Sequence, residues 1–582
     1  MGCYGREVAQ ADDSGQARPG PSVRERLPHW LSLLLLGLVL LRVGYHANYL
    51  AEDPFALATF SDGRVYEQAA LDLLEHPPLG SQPFYLQGLY AYQLALPMAI
   101  LPWISLAMLL QLTLAGLALW GLFRAMAWVV GRREAGIGLA VLLAYPGLAF
   151  YENKYLTASI GVVTMVLMVI ALARLQRRPT AKAVVWFGVT TGLAVLARGN
   201  MLLAVPGVAV AAALIWGGTG QARWRAMAWL ALGLTLALGP MAIRNAIVIG
   251  RPSVMPAHGG GTSFYIGNNR HARGVWNSAG GLISGEVIHE REELVAELGV
   301  APGSESEQAA AIGQALYRRA FDEMAEDPGG WLWLELRKAW LMVGNDELTQ
   351  DYDVYGEREM LPWWAGRGLP FSIVLALGCV GAVATRRRVR TGQLDGEHWR
   401  PWWWMLGFQA LAVVAANLLF FTSAQHRVPL VVPLVVFIGP GVEWLVRGRG
   451  LDDTAKGRKW WWGTVVLAVL LLAQGLLARQ KHHEPSAVHY YNLALAHVRL
   501  GQPKQAISAF DRAVERRPDH PVIRLERAAL HRVRGHLDLA QADLDYLRGL
   551  PDSTSWVKNR VADEQRRVIA LRRVEARQAR SR

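Results

Sequence analysis

The segment Phe60–Ala70 combines an acid, a base and an aromatic ring just after the first hydrophobic run: Asp62, Arg64 and Tyr66. A carboxylate beside a membrane can act as a general base on an acceptor hydroxyl or amine when the donor is held in line. The guanidinium group of Arg64 could neutralise a phosphate. The same segment also suits a plain helix start, which Ser or Asp followed by Glu or Gln often marks.

A second acid lies in the short segment Tyr151–Lys154, between two apolar runs. If this segment shares one side of the membrane with Asp62, Glu152 could orient an acceptor or a divalent cation. Lys154 could then meet a phosphate. The alternative is a solvated turn, which needs only polar atoms.

Three arginines, Arg198, Arg244 and Arg427, fall at the predicted outer ends of apolar runs. This placement opposes the usual excess of cations on the cytoplasmic side. Each side chain alone could snorkel to lipid headgroups. The three together predict a shared anionic ligand at the outer surface, and a lipid-linked phosphate fits that requirement.

The glycine-rich segment His258–Asn269 offers bare backbone amides and amide side chains such as that of Asn268. Glycine permits close approach of a backbone to a ligand. A plain flexible loop is the alternative. An oxyanion hole is disfavoured, because the chain has no Gly-x-Ser-x-Gly nucleophile elbow, and neither a Walker loop nor a Cys/His metal spacing occurs.

The composition is that of a polytopic membrane protein. Hydrophobic residues make up 52% and charged residues 18% of the 582 positions, whereas soluble domains carry about 25% charged residues. Basic residues cluster between the apolar runs, for example at Arg386–Arg388, so the net charge of +13 indicates cytoplasmic loops and not binding to nucleic acid. The two cysteines exclude a disulfide framework.

The apolar runs predict an all-α membrane protein with about eleven transmembrane helices and outer juxtamembrane helices. Residues 1–28 are interpreted as a disordered cytoplasmic tail and 29–480 as the membrane domain, with outer loops at 50–89 and 244–370. Within 86–130, the first half is interpreted as a re-entrant or interfacial helix and the second as a span, with a paired crossing as the alternative. The other crossings are predicted near 29–48, 135–150, 155–173, 183–197, 201–217, 226–243, 371–385, 402–421, 428–446 and 461–478.

The C-terminal part, 486–582, contains an internal repeat of 34 residues: Ala494, Gly501, Ala506 and Asp511 recur as Ala528, Gly535, Ala540 and Asp545. The spacing and residue types resemble tetratricopeptide repeats, which form an α-solenoid. Two units are fewer than such a solenoid needs, so they are expected to pack on the helix near 556–577 or on the membrane domain. Repeats of this kind bind peptides or partner proteins and carry no information on catalysis.

Several motifs occur together and in order, and as a set they carry a family resemblance. They are Ser61–Tyr66, Pro83-Phe84-Tyr85, Leu89–Tyr92, Tyr151-Glu152-Asn153, Leu196-Ala197-Arg198, Ile243-Arg244-Asn245, Ser263–Asn269 and His426–Pro429. The set resembles the polytopic C-type bacterial glycosyltransferases that use polyprenyl-phosphate sugars, related to protein O-mannosyltransferases and aminoarabinose transferases. The resemblance covers roughly 29–450.

The resemblance implies that Asp62 is the catalytic carboxylate and that Glu152 is a second acid. It implies further that polar and basic residues near the outer surface bind the lipid phosphate and the donor. The residues assigned to that role are Arg64, Tyr66, Lys154, Arg198, Arg244, Asn268, His426 and Arg427.

The chain departs from the family pattern in two places. Relatives of the aminoarabinose type carry a lysine before a Pro-Pro-Leu run, where this chain has Gln82-Pro83 and Gln87-Gly88-Leu89. Arg64, Lys154, Arg198 or Arg427 would have to replace that lysine. A strict Asp-Glu or Asp-x-Asp motif is absent from the first loop, so no cofactor is assigned and dependence on a divalent cation stays open.

The sequence thus predicts a glycosyltransferase of the bacterial inner membrane with a cytoplasmic N-terminus and extracytoplasmic repeats. Its partners would be a polyprenyl-phosphate-linked sugar, membrane lipids, a protein or glycan acceptor, and a protein bound to the repeats. One alternative is an O-antigen ligase or polymerase, in which an arginine and histidine pair of a large outer loop matters more than Asp62. A second is a non-catalytic anchor whose repeats recruit partners, in which Asp62 and Glu152 are dispensable.

Overall fold

The structure is a computed structural model of the chain. It describes residues 26–217, 220–257, 259–277, 282–283, 289–348, 350–361, 366–451, 455–477, 485–550 and 554–581. The predicted cytoplasmic tail lies outside these residues as far as position 25, and so does His258 of the glycine-rich segment.

The described residues form α-helices joined by loops and short 3₁₀ turns, with no strand among them, so the predicted all-α fold is confirmed. The helices of the membrane domain up to the large outer loop are α1 (His29–Glu52), α2 (Ser61–Glu75), α3 (Gly88–Met98), α4 (Ile104–Val129), α5 (Arg132–Leu143), α6 (Pro146–Glu152), α7 (Thr157–Arg177), α8 (Ala181–Ala197), α9 (Val205–Trp216) and α10 (Gly220–Ile249). The outer loop holds α11 (Gly260–Asn268), α12 (Glu290–Leu298), α13 (Glu305–Glu326), α14 (Pro328–Met342) and α15 (Val354–Met360). The rest are α16 (Phe371–Arg390), α17 (Gly396–Leu419), α18 (Ala424–Arg427), α19 (Val431–Leu451), α20 (Ala455–Leu477), α21 (Ala487–Arg499), α22 (Pro503–Arg516), α23 (Pro521–Val533), α24 (Leu537–Arg548) and α25 (Ser555–Ser581).

Within the described residues, eight helices are long and apolar enough to cross a membrane, or nine if α5 and α6, which meet at a bend of 67°, count as one span. Every predicted crossing falls on a helix or, for 135–150, on the bent pair α5 and α6. Two of the helices, however, are not long and apolar enough to count as membrane-crossing. The apolar helix α8 has only 17 residues, and α16 ends in the basic cluster Arg386–Arg388. The count by length and composition is therefore lower than the predicted eleven.

Small residues let the membrane helices pack closely. Where α8 crosses α10, a Cβ atom on Gly188 would lie 3.0 Å from the Cα atom of Gly233. Where α16 crosses α19, a Cβ atom on Gly441 would lie 3.0 Å from the backbone nitrogen of Gly381. Close backbone contact of this kind stabilises helix pairs in lipid, where the hydrophobic effect contributes little.

The first outer loop contains α2, which follows α1 closely in the chain. Tyr66, Ala70 and Leu73 recur at helical spacing and form the buried face of α2. That face packs on α3, where the rings of Tyr66 and Tyr90 meet edge to face at 4.8 Å. The 86–130 region contains a helix of 11 residues (α3) and a helix of 26 residues (α4), of which α4 is long and apolar enough to cross a membrane.

The four helices α21–α24 form two antiparallel pairs with a core of their own. Trp556 and Val561 of α25 join this core beside Ala494 and Phe510. On the opposite face of α21, Ala496 joins the core of the membrane domain. The repeats thus pack on both the terminal helix and the membrane domain, the two supports that the sequence predicts for them.

Candidate active site

A cavity of about 1160 Å³ lies between the two segments predicted as outer loops, 50–89 and 244–370, the ends of several membrane helices and the repeat domain. Its size is at the upper end of ordinary ligand sites. The polar residues that line it include Ser61, Asp62, Tyr66, Tyr85, Arg198, Asn200, Arg251, Glu290, Arg291, Asp351, His426, Arg517 and His520. Four of the residues assigned from sequence are therefore brought together here: Asp62, Tyr66, Arg198 and His426.

The start of α2 holds Asp62 against the cavity. Ser61, the first residue of the helix, has a φ of 46°, in the left-handed region that non-glycine residues rarely occupy. Its hydroxyl donates a hydrogen bond to Asp351 Oδ1 at 2.6 Å. Gly63 then lets the helix approach the backbone of Tyr155, because a Cβ atom there would lie 3.3 Å from the Tyr155 carbonyl oxygen. These contacts place Asp62 beside Asp351.

Three carboxyl groups interact at this point, one from the start of α2 and two from the segment between α10 and α16. The pKa of Asp62 lies well above its usual value. Burial away from bulk water is the largest cause, and the negative charges of Asp351 and Glu290 raise the pKa further. Burial raises the pKa of Asp351 to about 6, although hydrogen bonds with Ser61 and Asp62 oppose the shift. Burial likewise raises the pKa of Glu290 to about 7. Like charges this close cannot all ionise, so the Asp62–Asp351 pair retains one proton near neutral pH.

Arg198 brings a positive charge to the same cavity. Tyr66 lies between Asp62 and Arg198, near enough to interact with both charges. Arg198 donates a hydrogen bond to the Gln425 carbonyl oxygen at 2.9 Å, and its stem crosses α7 at Gly161, where a Cβ atom would lie 2.7 Å from Arg198 Cδ. The guanidinium group of Arg198 and the imidazole of His426 thus line the same cavity as the carboxylates.

Glu152 and Lys154 are buried outside the cavity lining. Glu152 forms an ion pair with Arg42 of α1 at 2.6 Å and contacts His46 at 3.2 Å. Lys154 is fully buried, pairs with Glu357 and donates a hydrogen bond to Asn153 at 2.6 Å. The structure therefore does not bring these two residues next to Asp62, and it gives each of them partners inside the protein.

The remaining assigned residues, Arg64, Arg244, Asn268 and Arg427, also bind to protein groups. Arg64 pairs with Glu67, one helical turn away, at 2.7 Å. Arg244 donates to the Leu79 carbonyl oxygen at 2.8 Å. Arg427 is fully buried and donates to the carbonyl oxygens of Gly344 at 2.6 Å and Asp346 at 2.9 Å. Asn268 donates to the carbonyl oxygens of Phe264 and Leu419, both at 2.8 Å.

Sequence reasoning missed Asp351 and Glu290, which belong to the large outer loop. Asp351-Tyr352-Asp353 is an Asp-x-Asp pattern in that loop, and it was a signal available in the sequence. Only Asp351 of the two acids lines the cavity, because Asp353 accepts a hydrogen bond from the Tyr355 backbone at the start of α15, at 2.9 Å. Among the described residues, no three His, Cys, Asp or Glu side chains are spaced to bind a metal ion.

Comparison with protein families identifies a repeat in the C-terminal part of the chain, 486–582. The tetratricopeptide repeat model matches residues 487–520, which confirms the first of the two predicted units. A comparison of the whole sequence with curated proteins finds no match.

Solved structures similar to the chain include two membrane proteins. One is the Archaeoglobus fulgidus oligosaccharyltransferase in the apo form, with a TM-score of 0.40 and 13% identity over 83% of this chain and 59% of that one. The other is ArnT from Cupriavidus metallidurans bound to undecaprenyl phosphate, with a TM-score of 0.40 and 15% identity over 88% of this chain and 76% of that one. The chain thus spans 59% of the length of the oligosaccharyltransferase. Likeness at this level does not bear on function, which has to follow from the cavity itself.

Proposed function

We propose that the protein is a membrane glycosyltransferase that moves a sugar from a polyprenyl-phosphate donor to an acceptor on the extracytoplasmic face of the bacterial inner membrane. The observation that carries the proposal is the pairing of Asp62 with Asp351 in a cavity that Arg198 and His426 also line. A general base and a cation for the phosphate in one cavity are what transfer from a sugar phosphate requires.

The reaction follows from this arrangement. The acceptor hydroxyl or amine gives its proton to the ionised member of the Asp62–Asp351 pair and attacks the anomeric carbon of the donor sugar. The bond between that carbon and the phosphate oxygen breaks, and polyprenyl phosphate leaves with the electron pair. The guanidinium group of Arg198 stabilises the negative charge that develops on the phosphate.

Glu152 and Lys154 have a supporting role in this proposal, because their charges are satisfied within the protein. Arg42, a cation of α1, neutralises Glu152 inside the membrane domain. Arg64, Arg244, Asn268 and Arg427 hold loops around the cavity. The donor contacts therefore come from Tyr66, Arg198 and His426, with Arg198 in place of the lysine found in aminoarabinose-type relatives.

Replacing Arg198 with glutamine should raise the KM for the polyprenyl-phosphate sugar about 10- to 100-fold, because hydrogen bonds to a charged group contribute about 1.5–3 kcal/mol. The assay uses the full chain in lipid nanodiscs, a polyprenyl-phosphate hexose or pentose, and release of polyprenyl phosphate as the signal. Arg178→Gln is the matched control, since Arg178 is an exposed residue after α7. An unchanged KM in Arg198→Gln would contradict the assigned phosphate site.

The rate of transfer should fall as the pH drops through about 6, the raised pKa of Asp351, because the carboxylate pair then takes up its second proton and loses its base. In Asp351→Asn the neighbouring negative charge is gone, so the pKa of Asp62 falls and the acid limb of the pH–rate profile moves to lower pH. The measurement is kcat at saturating donor from pH 4.5 to 8. An acid limb that stays in place in Asp351→Asn would show that the two carboxyl groups are not coupled.

A further inference from the structure

The first helix of the repeat domain, α21, contacts both chain segments that carry the cavity carboxylates. Asn492 Nδ2 donates a hydrogen bond to the backbone carbonyl oxygen of Asp351 itself at 2.8 Å. The backbone nitrogen of Ser486, the residue before α21, donates to Asp353 Oδ2 at 2.9 Å. The segment that holds Asp351 is thus fastened to the repeat domain on both sides of Tyr352.

The other end of α21 binds the start of α2. Arg499 Nη1 donates to the backbone carbonyl oxygen of Thr59 at 2.8 Å, and Arg499 Nη2 pairs with Glu67 Oε2 at 2.9 Å. Thr59 precedes Asp62 by three residues and Glu67 follows it by five. One guanidinium group therefore bridges the two flanks of Asp62.

Aromatic packing joins these two ends. The ring of His489 on α21 meets the ring of Phe55 edge to face at 5.9 Å, and Phe55 packs on Phe60 at 4.4 Å. Phe60 also contacts Tyr352 at 4.6 Å. Since Phe60 and Tyr352 lie next to the Ser61–Asp62 and Asp351 positions, the contact between the two acidic segments has an apolar centre that α21 covers.

The repeat domain also forms part of the cavity surface. Val488, Tyr491 and Asn492 of α21 line it, and so do Val522 and Ile523 of α23. A domain that bound only a partner protein would need no such contact. The cavity is consequently incomplete without the first repeat.

From these contacts we infer that the first tetratricopeptide repeat belongs to the catalytic unit, where α21 acts as a clamp that holds Asp62 and Asp351 in contact. Asn492 and Arg499 are positioning residues in this inference, because they bind the backbone or the neighbours of the two acids. The inference rests on the proposed glycosyltransferase function for its effect on rate, and on the hydrogen bonds alone for its effect on structure.

The test compares full-length Asn492→Ala and Arg499→Gln with the wild-type protein in nanodiscs. Lys504→Gln is the control, because Lys504 is exposed on the neighbouring helix α22. Loosening the clamp should lower kcat about 10- to 100-fold, since a misplacement of about 1 Å can cost 10²-fold. It should also move the acid limb of the pH–rate profile to higher pH, because Asp351 then loses the hydrogen bond with Asp62 that lowers its pKa. The KM for the donor should not change.

Amide hydrogen exchange gives a readout that does not depend on activity. Peptides that cover Thr59–Val65 and Gln350–Tyr355 should exchange faster in both clamp variants and at the wild-type rate in Lys504→Gln. Unchanged exchange together with an unchanged acid limb would overturn the clamp. Faster exchange in a protein that transfers no sugar would leave the clamp standing and refute the proposed function instead.

Discussion

Substitution of Asp62 by asparagine is expected to lower kcat for sugar transfer by about 10²- to 10⁴-fold, the range that general acid–base catalysis contributes. Asparagine keeps the size and the hydrogen-bonding reach of the side chain but can neither take up nor share the proton of the Asp62–Asp351 pair. Because burial and acidic neighbours already raise the pKa of Asp62, a neutral amide should be tolerated there, and the variant should fold at least as well as the wild type. The loss should therefore appear in kcat and not in protein yield.

The control for this experiment is Asp322→Asn, at an exposed position of α13. The same assay serves for both variants: release of polyprenyl phosphate from the donor in nanodiscs at saturating donor and pH 7.5. Full activity of Asp62→Asn at normal expression would remove the catalytic role of this residue and would favour the ligase-type alternative. A loss of activity shared equally by Asp322→Asn would point to a general defect.

The second large effect concerns stability. Lys154→Met should destabilise the protein by about 3–5 kcal/mol, because breaking a buried ion pair leaves an uncompensated charge. The Lys154 ammonium group is fully buried beside Glu357, and it lies 3.9 Å from the centre of the Tyr49 ring. The measurement is thermal or denaturant unfolding of the protein in detergent, followed by Trp fluorescence.

A double substitution separates this structural role from donor binding. Lys154→Met with Glu357→Gln removes both charges and should recover part of the stability lost in Lys154→Met alone. Lys182→Met, at an exposed position of α8, should unfold like the wild type. If Lys154→Met folded normally and instead raised the KM for the donor, Lys154 would be a donor-binding residue after all.

The sequence was informative where a feature depends on local pattern. Apolar runs are a local property, and every predicted crossing lies on a helix of the structure or on the bent pair α5 and α6. Asp62 could be singled out because a helix start next to a span is visible in the residue order, and the repeats could be found because their residues recur at a fixed period. The tetratricopeptide match at 487–520 confirms that interpretation of the period.

The pairing of Asp62 with Asp351 could not be read from the sequence in the same way. The two residues are 289 positions apart, and the hydrogen bond from Ser61 to Asp351 forms only when two outer loops pack together. The ion pair between Arg42 and Glu152 has the same origin, because α1 and α6 become neighbours only in the folded bundle. Residue type predicts that a charge needs a partner, but packing decides which partner it meets.

The bond between Arg499 and Thr59 joins residues 440 positions apart, and this separation bears on how the protein is made. Thr59 leaves the ribosome long before Arg499 does. The hydrogen bond that holds the Thr59 segment can therefore form only after nearly the whole chain has been synthesised. Contacts so distant in sequence are slow to form. A nascent or truncated chain would hold its lipid-facing helices but not a finished cavity, and transfer activity would therefore begin only when the last domain has been synthesised and has folded.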